Sequence, residues 1–121
     1  MENFDLEPYK SRTDIIHQTV QQIMKDFLMF GMEIHFTGHT DMAYSEMFSQ
    51  LSRHIQFLLE SDNNRLNALL YQVDLNEKLI HDSIRQHSEW SYPDIITELV
   101  IHRELKKVIF RNYFKNQKEG K

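Results

Sequence analysis

Six apolar residues, Ile16, Val20, Ile23, Phe27, Phe30 and Ile34, recur at spacings of 4, 3, 4, 3 and 4. A helix brings that series onto one face, because side chains three and four positions apart share a side of the cylinder. A half-buried strand would instead alternate at every second residue. With three glycines and two prolines in 121 residues, the chain has few places to interrupt such helices. The pattern therefore predicts long helices joined by short turns, and argues against a β-sandwich or a loop-rich enzyme.

The spacing predicts a first helix over 13–37, capped by Thr13 or Asp14 and ended by Gly38. A second is expected over 42–60, on Tyr44, Met47, Leu51, Ile55 and Leu58. The third, over 65–87, follows the polar turn 61–64 and carries Leu66, Leu69, Leu70, Val73, Ile80 and Ile84. Ser91-Tyr92-Pro93-Asp94 has the pattern of a helix start, with proline in the first turn where its missing N–H costs nothing. It opens a fourth helix over 92–114 that is apolar on nearly every side. Matched lengths and short connections favour antiparallel neighbours. The fold expected is an all-α, up-down-up-down four-helix bundle, one domain over 1–121, with a short extended lead-in from which Phe4, Leu6 and Tyr9 dock.

Charge is unevenly spread. Residues 1–102 hold 7 Lys/Arg against 16 Asp/Glu, net −9, and residues 103–121 hold 7 against 2, net +5. Cations at the end of a last helix complement its dipole. The acidic remainder would repel phosphate, so a nucleic-acid partner is not expected. Absence of cysteine removes thiol nucleophiles, disulfides and Cys-based zinc sites. The acidic start has no apolar signal core, and no apolar run reaches membrane-spanning length, so a cytoplasmic, non-membrane protein is expected. No Gly-x-Ser-x-Gly elbow or Gly-rich phosphate loop occurs, so no enzyme activity and no cofactor are expected.

Two irregularities remain. His54, Glu77 and His102 each interrupt an apolar stripe on a helical wheel. A turn near residue 90 would set Glu77 opposite His102, and His81 opposite Glu98, with His54 entering at a similar height. Such a reciprocal Glu/His layer would fix helix register. The alternative is a metal or redox site built from the same five residues, although their i to i+4 spacing departs from the Glu-x-x-His of carboxylate-bridged bundles.

The second irregularity is surplus apolar surface. Leu28, Met32 and Phe36 lie off the main seam of the first helix, and Ile101, Leu105 and Val108 off that of the last. Exposed patches of this kind mark association. The function expected is that of a protein-interaction or scaffold module, self-associating as a homodimer or docking on a protein partner through these residues.

Overall fold

The computed structural model describes residues 7–10 and 12–119. Its elements are α1 (Glu7–Lys10), α2 (Thr13–Leu28), a 3-10 turn (Thr40–Met42), α3 (Ala43–Ser61), α4 (Asn63–Val73), α5 (Glu77–Gln86) and α6 (Tyr92–Glu119). The described residues are all-helical, with no strand. The chain departs from four matched helices at two breaks, and the same chemistry makes both.

The first break ends α2 nine residues before the expected position. Met32 N–H donates to Phe27 C=O at 3.0 Å and Gly31 N–H to Leu28 C=O at 3.0 Å. That pair of bonds is a Schellman cap, and Gly31 supplies the positive φ it needs, at 79°. The chain then runs extended. Met32 and Ile34 stay in the core and Phe36 packs on it, while Glu33, His35 and Thr37 face solvent. Gln50 of α3 holds this segment at two points. His35 N–H donates to its Oε1 at 2.8 Å, and its Nε2 donates to His35 C=O at 2.7 Å. Glu46, one turn earlier, accepts from the Thr37 N–H and hydroxyl at 2.9 and 2.6 Å. Those bonds hold its carboxyl below its ordinary value.

The second break splits the expected third helix. Leu75 N–H donates to Leu70 C=O at 2.9 Å and Asp74 N–H to Tyr71 C=O at 3.0 Å. This is the same cap, with Asp74 in the glycine position at φ 68°. Asp tolerates the left-handed region better than most residues. Arg103 of α6 donates to its Oδ2 at 2.7 Å and pulls its carboxyl below the usual range. Asn76 then restarts the chain as the cap of α5, accepting from Leu79 N–H at 2.8 Å. Asp62 caps α4 in the same way, so a single residue separates α3 from α4.

Helix α6 packs most extensively on α3 and α2, and also meets α4 and α5. It runs antiparallel to α2, since Asn112 meets Gln18 and Arg111 meets Gln22. Its fully buried positions include Ile96, Val100, Glu104 and Val108, four residues apart, together with Thr97 and Ile109. Of the wheel's inward residues, Ile95 and Ile109 are buried and Leu99 packs on the core, whereas His102 is exposed, because the fully buried line runs through Glu104 instead. The main core joins these residues to Val20, Ile23, Phe27, Met47, Leu51, Ile55 and Leu69. Burying a side chain such as Phe27 or Leu51 contributes roughly 1.5–3 kcal/mol. Ile15, Val108 and Ile109 form a smaller cluster covered by Tyr9, whereas Phe4 and Leu6 lie outside the described residues. No helix among the described residues is long and apolar enough to cross a membrane.

Candidate functional site

The elements leave one apolar cleft of about 330 Å3 where α2, the start of α3 and α6 diverge. Helix α2 supplies Ile16, Val20 and Ile23 from its inward stripe. Helix α3 adds Ala43 and Met47, and α6 adds Ile101 and Leu105. Geometry explains the gap. After the cap at Gly31 the extended segment 32–39 carries the chain out of α2, and the 3-10 turn leads it into α3.

The lining also carries polar groups: Thr19 of α2 is buried, whereas Thr40, Asp41, Tyr44, Glu98 and His102 reach solvent. Asp41 comes from the 3-10 turn, Tyr44 from the first turn of α3, and Glu98 and His102 from successive turns of α6. The Tyr44 hydroxyl donates to Glu98 Oε2, a bond that ties α3 to α6 across the opening. Burial, then the Glu98 carboxylate, pushes the Tyr44 phenol above its ordinary range, so it stays protonated as a donor. Among the described residues, no ion pair involves Asp41 or Glu98, and no lysine or arginine lines the cleft.

The expected Glu/His layer does not assemble. Glu98 and His102 line the cleft just described, whereas Glu77 and His81 line a different groove between α4 and α5. Glu77, His81 and His102 are exposed. His54 is half-buried on α3, where burial lowers its imidazole below the ordinary value against an opposing hydrogen bond to the Glu33 backbone. Its place is beside the extended segment. Among the described residues, no three metal-ligating side chains come together.

The surplus apolar residues are also redistributed. Met32 and Val108 are core, and Phe36 is half-buried against His17, with ring centres 5.6 Å apart. Ile101 and Leu105 are walls of the cleft. Leu28 is 62% exposed beside Met29 at 59%, and is the one expected interface residue left largely open.

A buried polar pair does exist, and the wheel reading missed it. Asp26 of α2 and Glu104 of α6 are 1% and 0% exposed. Gln22 Nε2 donates to Asp26 Oδ1 at 3.1 Å, and Lys107 Nζ lies 3.1 Å from Glu104 Oε1. The lysine contact is at ion-pair distance but lacks hydrogen-bond alignment, since both Glu104 oxygens and Asp26 Oδ2 are otherwise unsatisfied. Burial first, and then the hydrogen bond and charge of Asp26, push the Glu104 carboxyl up to about 8. With its carboxyl raised that far, Glu104 favours the protonated, neutral form near neutral pH. The missed signal was the four-residue recurrence of Ile96, Val100, Glu104 and Val108.

No family model, no curated protein and no solved structure matches the chain.

Proposed function

We propose that this chain is a non-catalytic binding module whose working part is the cleft between α2, α3 and α6. The observation that carries this reading is the make-up of the cleft: mainly apolar walls from three helices, with a few polar side chains, Asp41, Tyr44, Glu98 and His102 among them, on the lining. Sites for small molecules are concave, mostly apolar, and about 300–1,000 Å3, with a few polar groups that orient the guest. The cleft has this character at about 330 Å3. Its walls include Ile101 and Leu105, so part of the apolar surplus read from the sequence serves an internal site.

The test is a titration of methyl-labelled protein with benzyl alcohol, a small neutral probe. Saturable shifts at Ile16, Val20, Ile23, Ile101 and Leu105 are expected, with little change at Leu51 or Leu69. Shifts confined to the α4–α5 groove would contradict the reading, as would no saturable response either to this probe or to charged analogues of the same shape.

Self-association is a second reading, favoured by one observation: Leu28 and Met29 stand side by side, both largely exposed, at the end of α2. Sedimentation at micromolar concentration tests it. A dimer that Leu28→Lys converts to monomer supports it, and a clean monomer of the unsubstituted chain removes it.

A further inference from the structure

The mouth of the cleft specifies charge as well as shape. Asp41 and Glu98 both line the cleft, one on the 3-10 turn before α3 and one on α6. Neither is ion-paired among the described residues, and no lysine or arginine is among the described residues that line the cleft. The Tyr44 hydroxyl occupies Glu98 Oε2, which fixes the carboxylate and sets the tyrosine ring beside it, half in solvent. Beyond these groups the wall is apolar, through Ile16, Val20, Ile23 and Leu105.

An anionic guest would meet two carboxylates here. A neutral guest would leave them unused. A cation carried on a short apolar or aromatic body satisfies each part: the body fills the cleft, and the charge rests between Asp41 and Glu98. Attraction between opposite charges at a partly desolvated mouth is stronger than in bulk water, and a tyrosine face adds to the attraction for ammonium groups. The surrounding field has the same sign, since residues 1–102 carry net −9.

We infer that the α2–α3–α6 cleft is a binding site for small organic cations, amines or quaternary ammonium compounds with an apolar body, with Glu98 and Asp41 as the charge-recognising groups. This inference rests on the proposed binding role of the cleft, and adds to it the class of guest.

The experiment compares three probes of one shape by calorimetry and methyl chemical-shift mapping on the full chain: benzyltrimethylammonium, benzyl alcohol and benzenesulfonate. The cation should bind at one site per chain, at least tenfold tighter than the alcohol, and the sulfonate should be weakest. Glu98→Gln, which keeps an acceptor for Tyr44, and Asp41→Asn should each narrow the cation-to-alcohol ratio below about threefold. Raising salt from about 50 to 500 mM should weaken the cation and spare the alcohol; this arm needs no variant, so it holds even if a substitution impairs folding. If alcohol and cation bind the cleft equally, or the cation is salt-insensitive, the guest class is wrong while the binding role survives. If none of the three binds saturably, both readings fall.

Discussion

Asp26 on α2 and Glu104 on α6 lie close together inside the fold with almost no exposure to solvent, and burial, with Asp26 beside it, pushes the Glu104 carboxyl well above its ordinary value. Two ionised carboxylates in the same place would meet an unfavourable Coulomb term and a desolvation cost together. Lys107 offsets part of that cost from one side and Gln22 from the other. The pair also sets register, since it holds α2 against α6 at one height.

The pH dependence of stability follows with a definite sign. Glu104 has a folded value near 8, against an ordinary carboxyl value of 4.5. Between those values the folded chain binds more protons than the unfolded one, so stability falls as pH rises. The loss from about pH 5 to pH 8 should be on the order of 3 kcal/mol. Glu104→Gln, which keeps a donor for Asp26 and cannot ionise, should flatten that slope and raise stability at pH 8. Urea melts across this range measure it, and a wild-type slope unchanged by the substitution would refute it.

Asp74 holds a position that suits glycine. Asp74→Val, β-branched at φ 68°, should cost about 1–2 kcal/mol, because left-handed backbone penalises such side chains. Asp74→Gly gains in backbone but loses the bond to Arg103, and should stay within about 1 kcal/mol of wild type. Thermal melts of the two variants should separate clearly, and equal melting temperatures would contradict this account of the break.

Gln50 clamps the extended segment through both ends of its amide. Gln50→Ala removes two hydrogen bonds, and should cost about 1–3 kcal/mol. Amide exchange should quicken at His35 more than at Ile55, which lies in the core of α3. Uniform acceleration of the two would show that the clamp is not local.

Glu77 tests the corrected layer. A buried partner of His102 would cost about 3–5 kcal/mol on replacement by alanine. Exposed in the first turn of α5, Glu77 contributes only through the helix dipole, about 0.3–1 kcal/mol. Chemical melts of Glu77→Ala showing a loss below about 1 kcal/mol are expected, and a loss above about 3 kcal/mol would restore the buried layer.

Helical class was legible because the apolar seam from Ile16 to Phe27 admits no other structure. The early end of α2 was hidden by a coincidence of periods. Phe30 and Ile34 are four apart, and four is also two steps of an extended chain, so the seam seemed to continue while Met32, Ile34 and Phe36 had changed to alternation. The break at Asp74 was concealed because the residue in the left-handed position is not glycine. The phase of α6 could not be read, since a helix apolar on nearly every side gives a wheel no preferred direction. This one ambiguity displaced the polar layer from Asp26 and Glu104 to Glu77 and His102. Glu98 and His102 were singled out from sequence, yet Asp41 and Tyr44 come from a turn and a helix start that only the folded path places beside them.

The most direct test of the binding role is an intermolecular NOE experiment on methyl-labelled protein with benzyltrimethylammonium. The cleft predicts contacts from the aromatic protons to the Ile23 and Leu105 methyls, and from the N-methyl protons to Tyr44. Contacts to Leu70 and Ile80 in the α4–α5 groove, or none at saturating probe, would contradict it.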